Sequence, residues 1–209
     1  MSYHLPEIIP DNVLYCIADM LPIKTLLING LSNVKAIKFV LKNKVKNYPE
    51  KAKKLLFSAS QKKLTRIVSV LIESGININC KNVAGYTLLH DAVEKENLEI
   101  IKLLIRLGAN INSRDNENYT PLNTASFNGH LGIVKYLIFN GADKEAKNID
   151  GDTPLTLASF QDYTDIVCYL SFIGCNVYHK NNYGEDIFIH AQEYENYDIL
   201  SFLARYYEF

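Results

Sequence analysis

Histidine, cysteine and clustered carboxylates are the side chains that could support proton transfer, nucleophilic attack or metal binding in this chain. Its histidines, His4, His90, His130, His179 and His190, stand in unrelated local contexts. Cys16, Cys80, Cys168 and Cys175 are too scattered for a zinc pattern, since the closest pair lies seven residues apart with no further Cys or His at ligand spacing. They read as reduced thiols, buried or half-buried. Glu94, Glu96 and Glu99 fall on what reads as an exposed surface. No Ser or Cys stands in a nucleophile elbow, and no glycine-rich loop joins a strand to a helix to hold phosphate. The expectation is a non-enzymatic chain with no cofactor and no metal site. From Lys42 to Lys54 run six lysines and one acid. Without an arginine cluster or a stacking series of aromatics, the run reads as a solvated helix face or connector rather than a nucleic-acid site.

The elements that would position any site repeat with a period of 33 residues. Gly75, Gly108, Gly141 and Gly174 keep that step, as do Ala59, Ala92, Ala125, Ala158 and Ala191, and Ile67, Ile100, Ile133, Ile166 and Ile199. A period of this size is the signature of a stacked repeat architecture. Within one unit, residues 87–96 read as a first helix and 98–107 as a second, with Ile100, Ile101, Leu103 and Leu104 on one apolar face. The glycine after each second helix can take the left-handed conformation of a helix end. Exposed turns are expected near Asn82, Asn116, Asn148 and Asn182, and Pro49 reads as a break before the first unit.

Residues 118–125, Asn-Tyr-Thr-Pro-Leu-Asn-Thr-Ala, are followed by Asn-Gly-His-Leu-Gly-Ile-Val-Lys-Tyr-Leu at 128–137 and Asn-Gly-Ala-Asp at 140–143. This pattern resembles the ankyrin repeat, and residues 85–92 and 151–158 repeat it. The resemblance covers about residues 52–209, in units of about 52–81, 82–114, 115–147, 148–180 and 181–209. It implies an all-α solenoid of helix pairs joined by hairpin-like turns. Asn118 replaces the family's turn glycine, which asparagine tolerates because it visits positive φ. Asn123 and Thr156 replace the helix-start histidine kept as His90, so those two turns are expected to be held less well. His90 and His130 fall where the family uses histidine for turn and inter-repeat hydrogen bonds. The last unit has Asp186-Ile187 in place of Thr-Pro, and terminal repeats are atypical because they cap the stack.

Residues 1–45 do not follow the period. Ile9-Pro-Asp-Asn-Val-Leu-Tyr-Cys-Ile-Ala-Asp-Met-Leu21 sets Val13, Leu14, Ile17 and Leu21 on one helical face, and Pro22 opens a second helical stretch through Leu27. This segment resembles an F-box, the module held by the Skp-type adaptor of cullin ubiquitin ligases. Carried over, the resemblance implies adaptor contacts at Pro10, Leu14, Ile17, Leu21, Pro22 and Leu26. Residues 33–41 also resemble the second helix of a repeat, as in residues 97–105, so a degenerate capping repeat is the alternative.

What the resemblance implies for the repeats is recognition. Hairpin tips and the exposed face of the first helices line a binding groove in ankyrin arrays. The corresponding positions here are Tyr86, Arg114, Asn116, Tyr119, Phe127, Lys147, Asp150, Phe160, Lys180, Tyr183 and Tyr194. Aromatic residues and Arg are the types enriched in binding hot spots. Phe127 and Phe160, both in Ala-Ser-Phe contexts, could instead pack between first helices. A formal net charge of −1 exerts no global pull on nucleic acid or anionic lipid. Charged and polar residues interrupt every apolar stretch, and the start does not resemble a secretory signal, which favours an intracellular location. An abundance of Lys, Asn, Ile and Tyr suggests an AT-rich genome, viral, bacterial or protist. The reading is a protein-binding adaptor linking a captured partner to a ubiquitin ligase, with a plain ankyrin scaffold or inhibitor as the alternative.

Overall fold

Helices of seven to nine residues are too short to persist alone, since isolated helices under about 12–15 residues are marginal in water. Their stability has to come from neighbours. The computed structural model describes residue 47 and residues 49–207. Among these it contains ten helices in five antiparallel-type pairs, with a single isolated bridge between Lys81 and Thr87 as the extended pairing. The fold is all-α. Pro10, Leu14, Ile17, Leu21, Pro22 and Leu26 lie outside the described residues, as do His4, Cys16 and the first half of the lysine run.

The chain divides between Asn77 and Ile78 into two units. In the first, α1 (Pro49–Gln61) packs on α2 (Thr65–Glu73) through Leu55, Leu56, Ala59, Val68 and Leu71. Pro49 opens the first described unit: it stands in the first turn of α1, where a missing N–H costs nothing. Lys51 and Lys54 then lie exposed on that helix, and Lys53 pairs with Glu50 at 2.9 Å.

The second unit holds four pairs: α3 (Leu88–Glu94) with α4 (Leu98–Arg106), α5 (Pro121–Phe127) with α6 (Leu131–Phe139), α7 (Pro154–Phe160) with α8 (Thr164–Phe172), and α9 (Ile187–Glu193) with α10 (Tyr197–Tyr206). First helices pack on first helices in chain order, α3 on α5, α5 on α7 and α7 on α9. Second helices form the other layer, α6 against α8 and α8 against α10. Between the layers Leu88, Leu104, Leu122, Leu137, Leu155, Leu170, Ile187 and Leu203 are fully buried. The first helices are shorter than the sequence suggested. Thr87 caps α3 rather than opening it, and Glu96 lies in the turn with φ 51°.

That turn repeats. Lys63, Glu96, Gly129, Asp162 and Glu195 all have φ between 51° and 76°, again at 33-residue steps. Four of the five carry a side chain in a conformation that favours glycine, so the period alone does not betray this position. The glycines after the second helices, Gly75, Gly108, Gly141 and Gly174, do have positive φ, as does Asn118 at the hairpin tip.

Side-chain oxygens hold the tips. Asn82, Asp115, Asn148 and Asn181 each accept the backbone N–H four residues on, at 2.7–3.0 Å, and the last three also accept the N–H two residues on. This is the Asx-turn chemistry that replaces a strand partner. The anchors at the second and fourth tips are therefore Asp115 and Asn181. Asn116 and Asn182, one residue later, instead donate to Val83 O and Ile149 O of the preceding tips at 3.0 Å. A Cβ at Gly151 would lie 2.6 Å from Asn182 Oδ1, so this close approach requires glycine as well as the positive φ. A second ladder joins the loops behind the second helices: Asn79 Oδ1, Asn112 Oδ1 and Glu145 Oε1 accept from the N–H groups of Asn110, Asp143 and Asn176.

The helix starts are capped even where the histidine is replaced. Asn123 and Thr156 both complete capping boxes, with Thr120 and Thr153. Asn123 also donates to Ala146 O at 3.0 Å, so it ties repeats together much as His90 does. Asp186, in the atypical last unit, accepts from Phe188 N and Ile189 N at 3.0 and 2.9 Å and is a working N-cap. His130, by contrast, leaves its buried Nε2 without a protein partner.

Neutral His90 is fixed in one tautomer. Its Nε2 lies 3.0 Å from the carbonyl of Tyr119, which can only accept, so Nε2 carries the proton. Nδ1 then accepts from the Thr87 N–H at 3.2 Å. Burial lowers the imidazole's pKa, opposed by the Tyr119 carbonyl and Asp115. The unfolded chain therefore binds the extra proton first, and this stabilisation is complete above the unfolded value and lost as pH falls through the folded one.

Two outcomes follow. Leu137→Asp places an unpaired charge at a fully buried site of α6 and should cost about 3 kcal/mol or more, read as a large drop in the urea midpoint followed by circular dichroism. Acidification from pH about 7.5 to about 5.5 should lower the urea midpoint, because the unfolded histidine titrates near 6.5. His90→Asn should reduce that slope while leaving the contribution of His190, whose pKa burial also lowers.

Candidate functional site

Once cores, caps and ladders are accounted for, the first-helix side of the second unit retains aromatic groups that the packing leaves partly open. Phe127, the last residue of α5, is 41% exposed. The Tyr119 ring lies edge-on to it at 6.4 Å and 88°. Tyr119 is half-buried and reaches this place because its carbonyl is held by His90 and its N–H by Asp115 Oδ1. Tyr86, also half-buried, stacks on His90 at 5.5 Å. Burial raises the phenol pKa of both tyrosines, most of all through lost solvation of the phenolate.

Phe160, the α7 counterpart of Phe127, is half-buried rather than open. The difference lies in the next repeat: His190 on α9 packs against Phe160 at 4.6 Å and against Tyr194 at 4.5 Å. A phenylalanine at one register position is thus covered in one repeat and uncovered in the other. Tyr183 and Tyr194 are 71% and 66% exposed. The Tyr183 hydroxyl donates to Asp150 Oδ1 at 3.0 Å, and the carboxylate that accepts this proton holds the phenol pKa up.

Arg114 and Asn116 serve the scaffold more than the sequence suggests. Arg114 Nη1 donates to Asn118 O at 3.1 Å and to Lys147 O at 2.5 Å, bridging two successive tips. The Asn116 amide stitches the first tip to the second. Lys147 remains exposed, while Lys180 is exposed with its ammonium 3.9 Å from Asp186. Apart from Tyr86 on His90 and Lys180 beside Asp186, the positions thus form a Tyr119–Phe127 pair, a Phe160–Tyr194 group around His190, a Tyr183–Asp150 pair and a stitched row of tips. They do not converge on one point.

Three residues of this side are not among the surface positions read from the sequence. Val83 and Ile149 stand fully and 60% exposed at their tips. They share the 33-step register of Asn116 and Asn182, and that step was the available signal. His190 gives no such signal, because its ring contacts reach back 30 residues to Phe160.

On the opposite layer Phe139 and Phe172, at equivalent positions of α6 and α8, are each 88% exposed. Cys168 and Cys175 carry no activated thiol. Burial pushes both up, Cys175 to about 12. Cys80, Cys168 and Cys175 form no disulfide among the described residues. Among the described residues no group of three His, Cys, Asp or Glu side chains is close enough to hold a metal ion, and no helix is long and apolar enough to cross a membrane.

The geometry agrees with the comparison against known families. A family model for ankyrin repeats, built of three copies, matches residues 55–148 and, in an overlapping placement, 89–181. No curated protein matches the chain. The two placements span well over half of its 209 residues. With paired helices, period and family model in accord, this chain belongs to the ankyrin-repeat family of protein-interaction scaffolds.

Proposed function

We propose that this chain is a non-enzymatic adaptor whose repeats capture a partner protein on the first-helix side, through Tyr119 and Phe127 and the tips beside them. The observation that carries this reading is the exposure of aromatic side chains where the core has no use for them. Phe127 lies edge-on to Tyr119 with 41% of its surface free, while Ser126 beside it is fully buried. A rigid, half-open aromatic pair loses little conformational entropy when covered, and such residues dominate binding energy in protein interfaces. Tyr86, Lys147, Phe160, Tyr183 and Tyr194 extend the surface to either side, and Asp150 orients Tyr183. Arg114, Asn116 and Lys180 shape it through their bonds to neighbouring tips and to Asp186. The chain works inside a cell, in cytoplasm or nucleus, with no cofactor.

In the same reading the N-terminal segment hands the captured protein to a cullin-type ubiquitin ligase through a Skp-type adaptor. Support comes from the sequence resemblance alone, with Pro10, Leu14, Ile17, Leu21, Pro22 and Leu26 as the contacts. A plain ankyrin scaffold with a capping N-terminus differs from this in what deletion does. An F-box gives up only its own contacts, whereas a lost cap exposes the first core layer.

Replacing Tyr119 and Phe127 together by Ala should weaken the principal captured protein by more than about 2 kcal/mol while leaving the urea midpoint nearly unchanged. The His90 bond survives because it uses the Tyr119 main chain. Unchanged affinity would remove the groove assignment. Deleting residues 1–30 should abolish recovery of the Skp-type adaptor and cullin from a eukaryotic lysate while the repeats stay folded. Recovery that persists after deletion sinks the ligase role, and aggregation of the truncated chain favours the cap.

A further inference from the structure

The group around His190 borders a cleft of about 310 Å3 at the end of the first-helix side. Its walls alternate two kinds of chemistry. Phe160 and Tyr194 supply aromatic rings on either side of His190, whose ring packs on them at 4.6 and 4.5 Å. Asp162, Glu185 and Glu193 supply three carboxylates, and none of them has a Lys, Arg or His within ion-pair distance among the described residues. Asp162 and Glu185 are steadied by neutral donors only: Asn196 Nδ2 lies 2.7 Å from Asp162 Oδ1, and Asn181 Nδ2 lies 3.0 Å from Glu185 Oε2. No Lys or Arg lines the cleft.

We infer that this cleft is a subsite for the cationic side chain of an arginine or lysine on the partner protein. Ring faces attract cations through their quadrupoles, best where water is excluded, and the three uncompensated carboxylates add attraction of the same sign. Their charge is spread around the rim rather than converging, and no trio of ligating groups meets there. That spacing fits a delocalised guanidinium or an alkylammonium better than a compact metal ion. The same three carboxylates act on His190 and favour its protonation, yet burial outweighs them and lowers its pKa, so near neutrality it enters as an uncharged ring rather than as a competing cation. The inference rests on the reading of this side as partner-binding and gives that surface a sign: it selects a basic residue.

The test uses the full chain, labelled with 15N, and three short peptides of glycine and serine that differ only in a central Arg, Lys or Gln. The Arg and Lys peptides should shift the resonances of Asp162, Glu185, His190 and Glu193 saturably, and the Gln peptide should not. Affinity for the Arg peptide should fall at least about fivefold in Glu193→Gln and in Tyr194→Ala, both exposed positions whose loss leaves the core intact. It should also fall between about 0.1 and about 1 M salt, over which the screening length drops from about 10 to about 3 Å. Cleft resonances unmoved by the Arg peptide, or a Gln peptide that binds equally well, would overturn the inference. So would affinities unchanged in both variants. Because no captured protein enters this measurement, its failure is distinct from failure of the Tyr119 and Phe127 surface.

Discussion

The structure depends on one constraint: none of the described helices can stand without its neighbours. A seven-residue helix closes only a few intrahelical bonds and leaves most of its terminal N–H and C=O groups unpaired. In α5 and α7 six of the seven residues are buried, which means the helix is stable only as a layer between two others. The caps follow from the same constraint. With so few internal bonds, each end needs side-chain acceptors, and Thr120, Thr153 and Asp186 supply them. The turns follow too, since a tip without a strand partner must satisfy its N–H groups locally. Asn82, Asp115, Asn148 and Asn181 do so with a single side-chain oxygen each.

Much of this was legible because it repeats. The three ladders of Gly, Ala and Ile located every helix pair, and Asn118 was correctly matched to a left-handed tip. What escaped was whatever the period does not mark by residue type. The left-handed turn inside each pair is held by Lys63, Glu96, Gly129, Asp162 and Glu195, five positions with little chemistry in common. Its conformation is imposed by the packing of the two helices on either side and is invisible to a search for glycine. Boundaries failed for a related reason. Thr87 is helix-compatible by type, and only hydrogen bonding decides that it caps α3 rather than opening it.

The candidate surface was legible as positions but not as contacts. Phe127 and Phe160 share a motif, and nothing in Ala-Ser-Phe distinguishes them. The distinction arises because His190 covers Phe160. Arg114 and Asn116 looked free because solvent-exposed polar residues at a turn tip carry no sequence mark of a partner 33 residues away. Their donors are instead spent on the carbonyls of Lys147 and Val83. A polar side chain at a repeat's edge is as apt to stitch the scaffold as to meet a ligand.

Two histidines illustrate how the fold separates structure from recognition. Both imidazoles are pushed toward the neutral form by burial. His90 spends both ring nitrogens, one on the Tyr119 carbonyl and one on the Thr87 N–H, so its chemistry is exhausted by joining two repeats. His190 has its Nδ1 buried without a protein partner and contributes mainly its ring, stacked between Phe160 and Tyr194. The first can change only at the expense of the repeat interface. The second sits at a position the ladders do not use, beside carboxylates that no cation of the described residues neutralises. Where the repeat has satisfied its own hydrogen bonds with a fixed set of side chains, the remaining positions on the same helices are released from the fold. Specificity can then be written there, one repeat at a time, without disturbing the packing on which each short helix relies.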